Sequence, residues 1–284
     1  MSNIKPTRFF DLDPTEDPNK WRLPVDMGIS VGPPKHKFLF GGVGLASAIR
    51  ALELTTDRPL IWATAQYLSF AMPGETVEVD VRAATEGKNV TQARVLGHVG
   101  DREIYTVNAA VGTRGKDLDH QWVHMPDVPG PEDCERQPRF RPKVDDEPDD
   151  LQQRMHVRVA AGRYGKKRSE GGLSEDGRAM LWCRPLDETT PIDATMLAVI
   201  ADFVPGATGN ALGMQAGSNS LDNTLRIRKL VETDWVLADI QVQGIHDGFV
   251  HGEARLFAED GTLMAVASQS GIVRIWDGES KRFR

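Results

Sequence analysis

The chain has 284 residues, 40% of them hydrophobic and 26% charged, the balance of a water-soluble protein able to bury a large core. Its net charge of −7 argues against broad binding to nucleic acid or anionic membranes. Cys134 and Cys183 are the only cysteines and lack CxxC spacing, and the seven histidines form no HxxxH pair on a predicted helix, so neither a disulfide framework nor a metal site is expected.

The first residues, MSNIKPTRFFDLDP, contain no long apolar run, so no signal peptide is expected and a cytoplasmic location is the default. No stretch is read as reaching the roughly 18 to 20 apolar residues of a membrane span. A strand-like run, RLPVDMGISVG, precedes a predicted helix over Gly41–Thr56, whose apolar positions cover more than one face and imply deep burial. The alternating runs LIWATAQYLSF, TVEVDVRAAT, NVTQARVLGHV and EIYTVNAAVG then read as strands. Between Met125 and Asp150 six prolines and many charges predict a linker (residues 126–150) without regular structure, separating a unit at 1–125 from one at 151–284.

The second unit repeats the plan. RMHVRVAAG and RAMLWCRPL precede a second predicted helix, IDATMLAVIADFV, which Pro205 and Gly206 are expected to stop. Four further strand-like runs follow, ending in TLMAVASQSGIVRIW. Residues 77–112 overlay residues 236–271 without a gap, at an offset of 159 (Val77 on Val236), with Asp101 on Asp260 at a turn and Ala110 on Gln269. This predicts an internal duplication. Each copy would be an antiparallel sheet wrapped around one long helix, the hotdog architecture, so the fold class is α+β and the chain a double hotdog.

Asp202 stands out as a carboxylate inside the apolar run TMLAVIADFVPG. It must be paired, hydrogen-bonded or kept for chemistry. By residue type alone it caps a turn or pairs with a cation such as Arg226. Ser220 lies in the turn-like cluster GSNSLDNT, where Ser218, Asn219 and Thr224 are alternatives and Asp222 is a second candidate acid. Gln269 is an amide within the small, apolar strand AVASQSG and needs buried partners. Glu53, near the end of the first helix, is the nearest equivalent acid in the first unit, where a solvated or ion-paired role is expected.

FGGVGLASAIRALE with YLSFAMPGETVEVDVRAATEGKNVTQARV resembles the first half of acyl-CoA thioesterase II (TesB-like) proteins. SLDNTLRIRKLVETDWVLADIQ and GEARLFAEDGTLMAVASQSGIVR resemble the family's closing strands, with the LD strand start and the QxGxxR ending. The resemblance spans nearly the whole chain outside the linker. It implies hydrolysis of a fatty or related acyl-CoA, without a cofactor, by a water held between Asp202, Ser220 and Gln269. Serine stands where threonine is familiar, and WATAQYLSF replaces a histidine–serine pair found in many members. Such chemistry is reasonable: a thiolate leaves readily, so the reaction needs chiefly a base or orienting group for water and donors for the oxyanion.

Gly41 and Gly42 at the first helix start are candidates for substrate contact through backbone N–H groups, or for close packing. Lys166, Lys167 and Arg168 are candidates for the phosphates of coenzyme A, against a solvated loop. Hotdog sheets commonly associate through their edges, so a homodimer or higher homo-oligomer is a further expectation. Two rival functions stand beside hydrolysis: a non-catalytic acyl-CoA or lipid-binding protein, and a hotdog enoyl-CoA hydratase or dehydratase. The hydratase reading is disfavoured because no histidine follows Asp202 before His246.

Overall fold

A computed structural model describes residues 9–33, 36–137, 150–165 and 171–275. In chain order, β1 (Asp13–Pro14), β2 (Lys20–Pro24), β3 (Ser30–Val31) and β4 (Phe38–Leu39) lead into helix α1 (Gly41–Thr56). Strands β5 (Leu60–Tyr67), β6 (Thr76–Glu86), β7 (Val90–Val99) and β8 (Arg102–Gly112) complete the first unit. After β9 (Glu135–Arg136) and the short α2 (Leu151–Arg154) come β10 (Met155–Ala161), β11 (Arg178–Pro185), α3 (Ala194–Ala201) and α4 (Val204–Leu212). The chain then forms β12 (Ala216–Ser220), β13 (Asp222–Ile227), β14 (Val236–His246), β15 (Phe249–Ala258) and β16 (Leu263–Ile275).

Among the described residues one 14-stranded sheet runs β1-β2-β6-β7-β8-β5-β13-β16-β15-β14-β11-β10-β9, with β12 paired to β16 off this path. The order is a palindrome of the two units about the β5–β13 seam, where Thr64 pairs with Thr224 and their hydroxyls meet at 3.0 Å. The duplication reaches the fine structure. The β6–β7 pairs Val81↔Val95 and Ala83↔Ala93 recur as Ile240↔Ala254 and Val242↔Gly252, and the bulge at 83–85 recurs at 242–244. The overlay needs one correction. Ala93 pairs with Ala109, whereas its counterpart Gly252 pairs with Gln269, so the β15–β16 turn holds one extra residue. The last strand therefore matches at an offset of 160, as β5 matches β13 (Thr64 on Thr224), and Ala109 rather than Ala110 stands where Gln269 does.

Alternation explains the layers. In β6, Val77, Val79 and Val81 turn inward and are at most 7% exposed, while Glu78 turns out. Helices α1 and α3 pack against each other under the sheet, and every residue of α1 from Gly42 to Glu53 is buried. Asp193 caps α3 by accepting the N–H groups of Thr195 and Met196.

Two expectations change here. Pro205 and Gly206 do not end the second helix. Proline sits in the first turn of α4, where no intrahelical N–H is required, and the helical run reaches Leu212 before Gly213 closes it at φ 62°. The stretch Ala194–Leu212 is thereby long and apolar enough to cross a membrane, contrary to the reading that no stretch approaches that length; most of it is buried inside the protein, as in a core helix. The first part of the supposed linker also has structure. Glu135–Arg136 adds an edge strand to β10, and Trp182 donates its indole N–H to the Pro129 carbonyl at 2.9 Å. With Cys134 this segment covers Met180, Trp182, Leu237 and Phe257 on the sheet face opposite the helices. Residues 138–149 lie outside the described residues.

Candidate active site

The helical run breaks at Asp202 and Phe203, between α3 and α4. That break presents the Asp202 carboxylate to the start of α1, 160 residues away, while leaving it only 3% exposed. Helix α1 begins at Phe40 with no side-chain cap. One of its free N–H groups, that of Gly42, donates to Asp202 Oδ2 at 2.6 Å. The approach depends on glycine. A Cβ at Gly42 would lie 2.8 Å from Asp202 Cβ and 3.0 Å from the Ala198 carbonyl oxygen, and one at Gly41 would lie 2.9 Å from Asp202 Oδ2. The Gly42 N–H thus serves the aspartate rather than a substrate group.

The other carboxylate oxygen faces the sheet. Ser220, last in β12, donates its hydroxyl to Asp202 Oδ1 at 3.2 Å. Gln269 on β16 donates from Nε2 both to Asp202 Oδ1 and, at 2.7 Å, to Ser220 Oγ. The three residues named from the sequence are therefore brought together from the break after α3, from β12 and from β16. Burial pushes the Asp202 carboxyl up to about 6, and the donors Gln269, Gly42 and Ser220 pull it the other way. Gln269 Oε1 is buried without a partner among the described residues.

The alternatives separate cleanly. Arg226 is exposed and is not among the Asp202 partners. The Asp222 carboxylate accepts the Ser270 N–H at 2.8 Å. Asp222 lines a surface cleft of about 520 Å³ with Thr64, Asn108, Leu221 and His251, outside the helix-covered layer. Thr224 bonds Thr64, and Ser218 accepts from Thr208 at 3.4 Å. Glu53 accepts the Leu60 N–H at 2.9 Å, is 8% exposed, and has its carboxyl raised to about 7, chiefly by burial. It is therefore not solvated, and among the described residues its carboxylate has no ion pair within 4 Å, although the charge of Arg50 acts on it. Lys166, Lys167 and Arg168 lie outside the described residues. Among those residues no group of three or more His, Cys, Asp or Glu side chains is placed to hold a metal.

Two neighbours were not singled out from sequence. Tyr67, on an inward position of β5, donates its hydroxyl to the Gly41 carbonyl at 2.8 Å; burial and the nearby Asp202 raise its phenol well above the usual value. Asn223 on β13 is fully buried, pairing across the strands with Ala65. The available signal was parity: Asn223 shares the inward face with Leu225, a place where an amide must be accounted for.

Comparison with known proteins agrees with this architecture. Residues 32–114 match the acyl-CoA thioesterase N-terminal domain and residues 131–273 the acyl-CoA thioesterase C-terminal domain. A Novosphingobium aromaticivorans protein, crystallised under a provisional thioesterase name, is 31% identical over 91% of this chain and 96% of its own, with a TM-score of 0.79. An Alicyclobacillus acidocaldarius protein described as having a hot dog fold is 19% identical over 94% and 96% of the two chains, with a TM-score of 0.76. An acyl-CoA thioesterase II, TesB2, from Mycobacterium marinum is 20% identical over 94% and 97%, with a TM-score of 0.70. No curated protein sequence matches the chain. Two matched domains in tandem on a double-hotdog frame make this chain a member of the acyl-CoA thioesterase family, a thioester hydrolase.

Proposed function

We propose that the protein hydrolyses a fatty or related acyl-CoA through a water activated by Asp202 and positioned with Ser220 and Gln269. The observation that carries this reading is the buried Asp202 carboxylate with its donors drawn from both units. A carboxyl near 6 is mostly ionised at neutral pH yet basic enough to accept a proton in the transition state. The unpartnered Gln269 Oε1 offers an acceptor for the water's second O–H. Water oxygen bonds to the thioester carbon as its proton passes to Asp202. The tetrahedral intermediate then collapses, the C–S bond breaks, and the proton held by Asp202 is available to the departing thiolate, giving free acid and coenzyme A. A thiol near 8.5 leaves with little assistance, so no separate acid is needed. No covalent nucleophile and no cofactor enter this scheme; coenzyme A is part of the substrate.

The test is release of free thiol from acyl-CoAs of graded chain length by wild type and Asp202→Asn. The expected result is turnover by wild type and a fall of about a thousandfold or more in the variant. Wild-type kcat/KM should also fall on its acid limb below about pH 6. Tight binding of acyl-CoA with no turnover by wild type would favour a binding protein instead.

A further inference from the structure

The site as described has a base and an acceptor for water but has spent its donors. Gly42 N–H, the Ser220 hydroxyl and Gln269 Nε2 all point at Asp202 or at one another. The Tyr67 hydroxyl is committed to the Gly41 carbonyl. Attack on a thioester places negative charge on the carbonyl oxygen, and that oxygen needs a donor the ground state does not use.

Asn223 has such a donor. Its side chain is fully buried, and neither Nδ2 nor Oδ1 has a hydrogen-bond partner among the described residues. Leaving a buried amide unmet costs about 1–3 kcal/mol per group, which a structural residue has no reason to bear. Its position is fixed by the sheet. Strands β13 and β16 pair at Thr224↔Ser268, so the next residues along, Asn223 and Gln269, fall side by side, and both are buried on the helix-covered face. On the other flank Asn223 pairs with Ala65, whose side chain has no polar atom to meet the amide. Its amide also lies near enough to the Tyr67 hydroxyl to lower that phenol, although without hydrogen-bonding geometry. Three unmet polar atoms, Gln269 Oε1 and both ends of the Asn223 amide, thus belong to one inward-facing row of the sheet beside Asp202.

We propose that Asn223 is a further catalytic residue, donating from Nδ2 to the thioester carbonyl oxygen as it becomes an oxyanion, while Gln269 Oε1 holds the water. This rests on the hydrolytic reading above. Asn223→Leu keeps the size and removes the donor; Asn223→Ser shortens it. Each should lower kcat about a hundred- to a thousandfold with KM within a few fold and melting temperature close to wild type. A readout that a packing role would not move is the infrared carbonyl stretch of a ¹³C-labelled acyl-CoA bound to Asp202→Asn. It should shift to lower frequency with Asn223 present and return to the solution value in Asp202→Asn/Asn223→Ser.

A folded Asn223 variant with kcat within threefold of wild type overturns the proposal while leaving the hydrolytic reading intact. An unshifted carbonyl in the Asp202→Asn complex overturns it as well, whether or not the Asn223 variants fold. Wild type that turns over no acyl-CoA overturns the hydrolytic reading itself.

Discussion

The two units share a strand frame down to one bulge, yet their equivalent corners hold different chemistry. In the second unit Asp202, Ser220 and Gln269 converge. At the pairing-defined counterparts in the first, Leu60 replaces Ser220 and Ala109 replaces Gln269, and the local acid is Glu53, bonded to the Leu60 backbone. The helix starts differ in a complementary way. Helix α3 is capped by its own Asp193, whose carboxylate also sits near Glu53 and repels its charge. Helix α1 has no cap of its own, and its Gly42 N–H stabilises the aspartate contributed by the other unit. One uncapped helix, bare of side chains where it meets Asp202, lets one corner hold a hydrogen-bonded carboxylate cluster and leaves the other a packed acid.

The sharpest way to break this comparison is to make the second corner resemble the first. Gln269→Ala removes a donor to Asp202 and the acceptor that the proposed mechanism assigns to water. Its kcat should fall about a hundred- to a thousandfold, measured by thiol release. The converse change should do nothing: Ala109→Gln in an Asp202→Asn background should leave hydrolysis at the background rate, because Leu60 supplies no hydroxyl. Recovery of turnover there would mean the first corner is a latent site.

A smaller effect should come from the helix start. Gly42→Ala puts a methyl 2.8 Å from both Asp202 Cβ and Phe40 Cε1, with the rigid Ala198 carbonyl at 3.0 Å. Helix α1 must shift away from α3, at a cost of about 1–3 kcal/mol in urea-unfolding stability. Because the same movement lengthens the Gly42–Asp202 bond, kcat should drop by about tenfold or more. A variant of unchanged stability and rate would show that the two helices do not hold each other in this register.

Much of this was legible in the chain because strand alternation and the offset between units are local or periodic signals. Asp202 was conspicuous as a charge in an apolar run, and Gln269 as an amide among small residues. The misreadings have physical causes. Pro205 looks like a terminator, but the same fixed φ that ends one helix starts another. The extra residue in the β15–β16 turn is invisible in a gapless overlay, since alternation on either side survives it. The segment around Cys134 looked like spacer because its few apolar residues count only once they meet Trp182 and Phe257 on the back of the sheet. The Gly42–Asp202 bond spans 160 residues, and no local pattern announces it.

The smallest effect on rate, and the most direct test of what the first corner has become, is expected from Glu53→Gln. Its amide can still accept the Leu60 N–H, so kcat should stay within twofold of wild type. Stability should respond instead. Burial raises the folded Glu53 carboxyl from 4.5 to about 7, so its contribution is fully present below pH 4.5 and is lost as pH rises through 7. The corresponding window for Asp202 runs from 3.8 to about 6. Wild type should therefore lose up to roughly 3 kcal/mol relative to Glu53→Gln between pH 4.5 and 7.5. Urea unfolding of both proteins across pH 4 to 8 reads the difference. A parallel course for the two would mean that Glu53 is not held as a buried acid. A large loss of kcat in Glu53→Gln would mean that the two corners work together rather than one alone.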